Sequence, residues 1–181
     1  MATATPHRTA PGTTTFQEEI VTSSAVRKTL AVGRIIIGWV FLWAFVDKLL
    51  GLGYMTPTER AWINGGTPAQ GFIKGIEGPF HGVFQVFANP FGDFLFMFGL
   101  LGIGVAMIAG AGLKIAAVGG TLLMLFMYLA ELPLALGGTN PITDSHWVEA
   151  MLLIISAVTL SGDTWGLGKW WAGKVGNSWL R

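Results

Sequence analysis

Residues 29–50 read TLAVGRIIIGWVFLWAFVDKLL, an apolar stretch that is interrupted by Arg34 near its start and by Asp47 and Lys48 near its end. A helix needs roughly 20 mostly apolar residues to cross the hydrocarbon core of a bilayer. The stretch meets this requirement and contains no proline. It therefore predicts a membrane-spanning helix and indicates that lipid is the solvent for much of the chain.

Three further stretches have the same character, over residues 92–110, 113–132 and 145–162, and the last is the shortest and the most polar at its start. The whole chain of 181 residues is 52% hydrophobic and 12% charged, whereas a soluble domain usually carries about 25% charged residues. Composition and pattern together predict an all-α fold, an integral membrane four-helix bundle with short interfacial helices in its first outer loop.

Lysine and arginine are unevenly divided between the two sides that four crossings create. One side holds both terminal segments and the turn between the second and third spans, with Arg8, Arg27, Lys28, Lys114, Lys169, Lys174 and Arg181. The other side holds Arg60 and Lys74, both in the long loop 51–91. Because cytoplasmic loops carry the excess of positive charge, we expect a multi-pass protein of the cell membrane with both termini cytoplasmic.

The segments that flank the spans divide the chain into three regions. Residues 1–28 are rich in Thr, Pro and Ala and have no apolar h-region, so they predict a mobile cytoplasmic N-tail rather than a cleavable signal peptide. Residues 29–163 form the four-helix membrane domain. Residues 164–181 contain four tryptophans together with Lys169 and Lys174, a composition typical of a segment at the membrane interface.

The long loop 51–91 is predicted to contain helices of its own. Residues 56–59 (TPTE) and 67–70 (TPAQ) each fit a capping box with proline at the first helical position, so each predicts the start of a short helix. The run Asn64-Gly65-Gly66 predicts the end of the first. Between residues 79 and 88, Phe80, Phe84 and Phe87 share one helical face, which predicts an aromatic stripe at the membrane surface or the outer mouth of the bundle.

The sequence lacks the residues that several kinds of chemistry require. The chain has no cysteine, which removes disulfides, thiol relays, iron–sulfur clusters and thiolate zinc sites. His7, His81 and His146 are too scattered to predict a metal site or a bis-histidine haem, and no P-loop, dinucleotide fingerprint or nucleophile elbow is present. A net charge of +1 points to no nucleic-acid partner. A redox role would therefore use small molecules directly or a cofactor held by a partner subunit.

Ionisable groups near the ends of membrane spans usually have a partner or a function. Topology places five of them at the outer ends of three spans: Asp47, Lys48, Glu131, His146 and Glu149. The outer loops bring Arg60, Trp62, Asn64, Lys74, His81 and Asp144 to the same side. If the polar faces point inward, these residues form a pocket that opens outward, with His146 and Glu149 near one helix face.

Each of these residues also has a structural interpretation. Lys48 can extend to the membrane interface, Glu131 can be a plain helix-end residue, and Asp144 or Ser145 can cap the fourth span. On the opposite side of the membrane, we expect Arg34 either to extend to the cytoplasmic interface or to pair with Asp163.

Gly102, Ala106 and Gly110 recur at four-residue spacing along the second span. Small residues at this spacing let helices approach closely. We expect them to pack within the bundle, and the face of a homodimer is the alternative.

Several motifs resemble those of the DoxX family of small four-helix membrane proteins. They are Arg34, Gly38 and Asp47-Lys48-Leu49 in the first span; Ala61-Trp62-Ile63-Asn64-Gly65-Gly66-Thr67-Pro68, Gly71-Phe72, Lys74-Gly75 and Gly78-Pro79-Phe80 in the loop; Asn140-Pro141 before Asp144-Ser145-His146; and Gly166-Leu167-Gly168-Lys169-Trp170-Trp171. Together they extend over about residues 29–172. They resemble the branch that is described as the DoxD-like subunit of thiosulfate:quinone oxidoreductase.

The resemblance implies a membrane subunit that oxidises thiosulfate to tetrathionate with quinone as co-substrate, beside a second oxidoreductase subunit and without a bound metal or haem. Thiosulfate is a dianion and needs cations, so the candidate substrate-binding residues are Lys48, Arg60 and Lys74, with Asn64 and Glu131. The candidate quinone contacts are Trp62, Phe80 and Phe84. The candidate catalytic residues, which would relay protons, are His146, Glu149 and Asp47.

Two other functions stay open. The missing cofactor ligands favour a non-catalytic membrane scaffold that docks or assembles a redox partner. A small proton-linked transporter is less well supported, because no span has a broken core and no inverted repeat is visible. The carboxylates of Asp47, Glu131 and Glu149 suit a proton or cation site better than an anion site.

Overall fold

The computed structural model describes residues 13–136 and 140–181, and within these ranges it contains α-helices and short 3-10 turns but no strand. The α-helices are α1 (Gln17–Ile20), α2 (Ser24–Leu50), α3 (Pro68–Ile73), α4 (His81–Phe84), α5 (Pro90–Ala109), α6 (Leu113–Ala130), α7 (Pro133–Leu136), α8 (Ser145–Val158) and α9 (Gly168–Val175). The 3-10 turns are Thr58–Arg60, Trp62–Asn64, Gln85–Phe87 and Ser161–Asp163. The all-α prediction is confirmed.

Three of these helical segments are long and apolar enough to cross a membrane, and they begin with α2, α5 and α6. The chain is therefore a multi-pass membrane protein by length and composition. Helix α8 is apolar but has 14 residues, fewer than the roughly 20 that a perpendicular crossing needs. It ends before the predicted residue 162 because Leu160 adopts a left-handed conformation, with φ 49°, and a 3-10 turn follows.

Local capping explains where the long helices begin and end. Helix α2 begins before the predicted residue 29 because the side chain of Ser23 accepts a hydrogen bond from the Val26 amide. Helix α5 begins at Pro90, after Asn89 accepts from the Gly92 amide. Glycines in the left-handed conformation end both helices, Gly51 with φ 66° and Gly110 with φ 74°.

Each long helix packs on its neighbour in the order α2, α5, α6 and α8, and α8 returns to α2. The core between them contains Ile37, Phe41, Met107 and Leu153, all at most 2% exposed. Helices α2 and α5 approach so closely at Gly104 that a Cβ added there would lie 2.7 Å from the Leu42 backbone nitrogen. Small residues thus set the contact between these two helices, as they do in many membrane bundles.

The chain's two terminal segments meet at one end of the molecule, which we call the terminal end. The Leu113 amide donates to the Arg181 carbonyl at 3.0 Å, and the Leu167 amide donates to the Ala109 carbonyl at 2.7 Å. The terminal end comprises residues 13–23, the turn 110–112 and residues 159–181. The opposite end, with residues 51–89 and the described part of 131–144, is called the loop end.

The two predicted capping boxes of the first loop are wrong in detail. Residues 56–59 form no α-helix, and the 3-10 turn Thr58–Arg60 has no side-chain cap, because the Thr56 amide is held by Asp47 instead. Helix α3 begins at Pro68 as predicted, but Asp93 caps it rather than Thr67. The predicted stop at residues 64–66 is confirmed, since Gly65 ends the second 3-10 turn with φ 85°.

Candidate functional site

An apolar cleft of about 610 Å³ lies between α5 and α6, and α3 and the 3-10 turn Gln85–Phe87 contribute to its walls at the loop end. Its walls consist of apolar side chains and glycines. Towards the loop end the walls carry six aromatic rings: Phe72, Phe84, Phe87, Phe96, Phe98 and Phe126. Towards the terminal end they carry six small residues: Gly99, Gly102, Ala106, Gly112, Ala116 and Gly119.

Glycines without side chains leave space open in the part of the cleft towards the terminal end. A Cβ added to Gly99, Gly102 or Gly119 would meet no heavy atom within 4 Å. The lining of α5 extends from Gly92 to Ala106, about 21 Å by helical rise. The cleft therefore extends over about two thirds of the roughly 30 Å thickness of a hydrocarbon core, and its volume lies in the range of small-molecule sites.

The rim of the cleft faces outward from the bundle. Leu95 is 56% exposed, Phe98 58% and Leu122 50%, and all three line the cleft. Residues exposed at this position of a membrane helix contact lipid chains. A ligand can thus enter sideways from the hydrocarbon core without passing through water.

The three predicted quinone contacts lie around the loop end of the cleft. Phe84 is 8% exposed and lines it directly. Trp62 packs edge-on against Phe94, with ring centroids 5.2 Å apart, and against the lining residue Phe98 at 6.4 Å. Phe80 packs against the small core cluster that contains Phe84. The predicted stripe is interrupted, because α4 ends at Phe84 and Phe87 belongs to a 3-10 turn.

Sequence reasoning missed the two helix faces that form most of the cleft. Phe98 and Phe126 lie inside predicted spans, where aromatic residues give no separate signal. Small residues recur at spacings of three and four, at Gly99, Gly102 and Ala106 on α5 and at Gly112, Ala116 and Gly119 at the cap and first turns of α6, but this pattern does not by itself distinguish a cleft from a helix contact.

Asp47, a predicted catalytic residue, is 3% exposed and organises the start of the first loop. Its carboxylate accepts hydrogen bonds from the amides of Tyr54 at 3.3 Å, Met55 at 3.1 Å and Thr56 at 2.9 Å. The neighbouring Lys48 is half-buried. These hydrogen bonds to Asp47 hold residues 51–56 folded back over the end of α2.

Asp93, which the sequence reasoning did not consider, has a similar structural environment beside the cleft. It is 4% exposed and accepts from the Ala69 amide at 2.7 Å, the Gln70 amide at 3.1 Å and the Gln70 side-chain amide at 2.6 Å. Asp93 thus attaches α3 to α5. An acidic residue at the start of an apolar span was the available signal.

His146 and Glu149 lie in the first two turns of α8, at the loop end. His146 Nδ1 lies 2.7 Å from Asp144 Oδ2, and the Asp144 side chain also accepts from the His146 amide at 3.0 Å. The predicted cap of this helix by Asp144 is therefore confirmed. Glu149 is half-buried, one turn further along.

The remaining predicted substrate-binding residues are distributed over the loop end. Arg60, Lys74 and Glu131 are exposed, and the Asn64 side chain donates to the Thr58 carbonyl at 2.8 Å. None of them lines the cleft. Among the described residues, those that line the cleft include no ionisable side chain. Within the same ranges, no group of three or more His, Asp or Glu could hold a metal ion.

The predictions for Arg34 are wrong. Its side chain is 0% exposed and donates to the carbonyl of Met107, to that of Ile108 at 2.8 Å and to that of Trp165 at 3.0 Å. Because the last carbonyls of α5 have no partner within the helix, a guanidinium with several donors satisfies them. Arg34 therefore joins the end of α5 to the C-terminal segment and neither extends to the interface nor pairs with Asp163.

Asp163 pairs instead with Arg181, at 2.8 Å and 3.1 Å, and the exposed fractions of these side chains are 2% and 4%. Asp163 also accepts from the amide of Gln17 at 2.9 Å, a residue that is 0% exposed. Residues 13–20 of the predicted N-tail thus pack against the C-terminal segment, and residues 1–12 lie outside the described ranges.

Comparisons with models of known protein families, with curated proteins and with solved structures find no match for this chain.

Proposed function

We propose that this protein is the membrane subunit of a quinone-linked oxidoreductase and that the cleft between α5 and α6 holds the quinone. The observation that carries the proposal is the cleft itself, which is apolar along its whole length and open to the lipid. Quinones of membranes are amphiphiles with an aromatic-like ring and a long hydrocarbon tail. Such a molecule reaches this site from the bilayer, where it is dissolved.

The two parts of the cleft support one orientation of the ligand. The quinone ring stacks among the aromatic rings at the loop end, such as Phe84 and Phe126, because flat π-systems pack well edge-on or offset. The tail lies along Gly102 and Gly119, where no side chain obstructs it. The ring is then near the aqueous surface, where electrons and protons reach it.

Thiosulfate is our proposed electron donor, on the resemblance of the sequence motifs. Two thiosulfates each give up one electron and join through one new S–S bond to form tetrathionate, while the quinone takes up two electrons and two protons to become quinol. The exposed cations Arg60 and Lys74 lie in the first loop and attract a dianion from solution. A partner subunit supplies any further electron carrier.

We further propose that α8 is a fourth crossing and that both termini are cytoplasmic. Residues 140–144 contact α6 near its loop end, where the Tyr128 hydroxyl donates to the Ile142 carbonyl at 2.7 Å, and residues 159–181 belong to the terminal end. Single cysteines at Thr143 and Ser178 test this in the cysteine-free chain. We expect a membrane-impermeant maleimide to label the first in intact cells and the second only after lysis. Labelling of both residues in intact cells would contradict the fourth crossing.

A membrane scaffold is the second candidate, and one observation favours it. Gly and Ala faces on two adjacent helices are typical of surfaces on which another helix docks, and α5 and α6 present such faces in the cleft. In that case a transmembrane helix of a redox partner, not a quinone, occupies the site.

Quinone binding and reduction in lipid nanodiscs separate these functions. We expect the purified protein, with its co-purifying partners, to bind a long-tailed quinone and to reduce it when thiosulfate is added. Reduction of a long-tailed quinone by the wild type that falls about tenfold, at quinone concentrations below saturation, on replacement of Gly102 by Leu supports the cleft. Absence of quinone binding, together with a partner that dissociates from the Gly102→Leu variant, would support the scaffold instead.

A further inference from the structure

The short segment before α8 is held in place from two sides. The Asn140 side chain accepts from the amides of Ile142 at 2.8 Å and Thr143 at 3.1 Å, a turn geometry that asparagine commonly stabilises. The Tyr128 hydroxyl of α6 donates to the Ile142 carbonyl. These hydrogen bonds hold residues 140–143 in place and so position Asp144, which follows directly, at the start of α8.

The Asp144 carboxylate uses its two oxygens for different purposes. Oδ1 accepts from the His146 amide at 3.0 Å and so caps α8, while Oδ2 lies 2.7 Å from His146 Nδ1. An ionised carboxylate only accepts hydrogen bonds. The proton of a neutral His146 is consequently on Nδ1, and Nε2 carries the free lone pair.

His146 Nε2 has no hydrogen-bond partner among the residues of 13–136 and 140–181, and the His146 side chain is 15% exposed. The half-buried Glu149 lies one turn further along α8, on nearly the same face. An imidazole nitrogen with a free lone pair, on a ring that a carboxylate orients and whose positive charge that carboxylate balances, is the arrangement that general bases use.

We infer that Asp144 is a positioning residue that fixes His146 as the Nδ1–H tautomer and makes Nε2 a proton acceptor at the loop end. Nε2 takes a proton from a hydronium ion of the solvent, which becomes water, to give an imidazolium whose Nδ1–H stays hydrogen-bonded to Asp144. Loss of the Nε2 proton to water at the loop end restores the neutral imidazole and supplies that water with a proton for the uptake that accompanies quinone reduction. The inference rests on the proposed function for the fate of the proton, whereas the tautomer follows from geometry alone.

The variant Asp144→Asn separates this role from helix capping. Asparagine is as good an N-cap as aspartate, so its Oδ1 still accepts from the His146 amide. Its Nδ2 then faces His146 Nδ1 and donates to it. We therefore expect the imidazole proton to move from Nδ1 to Nε2 while the helix stays intact, so that Nε2 can no longer accept a proton.

Nitrogen NMR of ring-labelled histidine reads the tautomer directly, without any quinone. A His7→Asn background leaves two histidines, and His81 is the internal control because its Nδ1 lies 2.6 Å from the Ile76 carbonyl, an acceptor that also requires Nδ1–H. We expect both histidines as Nδ1–H tautomers in the wild type and a switch of His146 alone in Asp144→Asn. Quinone reduction by that variant should fall at least about tenfold.

The possible failures are distinguishable. An unchanged His146 tautomer and an unchanged rate in Asp144→Asn would overturn the inference and leave Asp144 as a helix cap. The switched tautomer in a protein whose wild type reduces no quinone would contradict the proposed function, and the positioning role of Asp144 would stand. A circular dichroism spectrum equal to that of the wild type checks that α8 has not unfolded.

Discussion

Glycines on different faces of α5 and at its C-cap have opposite roles. Gly104 and Gly110 face other backbone: an added Cβ would lie 2.7 Å from the Leu42 nitrogen and 2.8 Å from the Gly162 Cα. Gly99 and Gly102 face the empty cleft. The first pair lets the chain close on itself, and the second keeps a space open. Glycine spacing alone therefore does not tell whether a membrane helix contacts a neighbour or lines a site.

Buried polar groups occur at both ends of the molecule, Asp47 and Asp93 at the loop end among them, but the two ends differ at His146. At the terminal end, Arg34, Asp163 and Arg181 are buried and hydrogen-bonded to groups of the same chain. At the loop end, His146 keeps one nitrogen free of protein partners within the described residues. We conclude that the terminal end is a closed structural lock, whereas under the proposed function the cleft holds the ligand and His146 exchanges protons.

We expect the largest loss of stability from Asp163→Asn, at the lock of the terminal end. This change leaves the Arg181 guanidinium buried without a compensating charge, which typically costs about 3–5 kcal/mol. Thermal unfolding in detergent should show a large drop in stability. Lys169→Gln, which removes the exposed ion pair of Lys169 with Glu18, is the control and should change stability little. Similar stability of the two variants would contradict the lock.

Gly162→Ala tests the close contact of the terminal end. An added methyl group would overlap the Gly110 carbonyl oxygen, and overpacking of this kind usually costs about 1–3 kcal/mol. Gly173→Ala, in α9, is the matched control because its Cβ meets nothing within 4 Å. A Gly162→Ala protein that unfolds at the same temperature as the control would show that the two glycines are not in contact.

Filling the open part of the cleft should change binding and leave folding intact. Gly102→Leu and Gly119→Leu each place a side chain where the tail of the quinone lies, so we expect about tenfold weaker binding of a long-tailed quinone, equivalent to about 1.4 kcal/mol. A tail-free quinone analogue should bind within about twofold of the wild type. Gly173→Leu is the control outside the cleft. An equal loss of binding for the long-tailed quinone and the tail-free analogue would show that the tail does not lie along Gly102 and Gly119.

The smallest effect concerns the exposed surface of the terminal end. The hydrogen bond from Lys169 lowers the pKa of Glu18 from its ordinary value near 4.5. Because the folded-state pKa is depressed, the contribution to stability is present above pH 4.5 and is lost as the pH falls through the folded-state pKa. Wild type should therefore be slightly more stable than Glu18→Gln above about pH 4.5 at low salt, and the difference should disappear as the pH falls through this acidic range.

Much of the fold could be predicted from residues 29–50 and the two apolar stretches after them. Hydrophobic length is a local signal, and it located α5 and α6 to within two residues and α2 to within five. The fourth helix was harder because Leu160, a residue with no preference for positive φ, ends the helical region.

The site could be predicted only in part, for a physical reason. Phe84 was identified because an aromatic residue in a polar loop is conspicuous, whereas Phe98 and Phe126 are ordinary residues of a membrane helix. The partners of Arg34 were not predictable, since backbone carbonyls carry no sequence signal and its buried position depends on tertiary contacts. Asp163 likewise pairs with Arg181 through contacts that only the folded chain creates.

Photo-crosslinking with a quinone that carries a diazirine on its tail tests the central claim most directly. We expect labelling of peptides from α5 and α6 around Gly102 and Gly119, competition by unmodified long-tailed quinone, and much weaker labelling in Gly102→Leu. Labelling that falls on the lipid-facing surface of α2, around Ile36 and Val40, or that excess quinone does not compete for would contradict the assignment of the cleft as the quinone site.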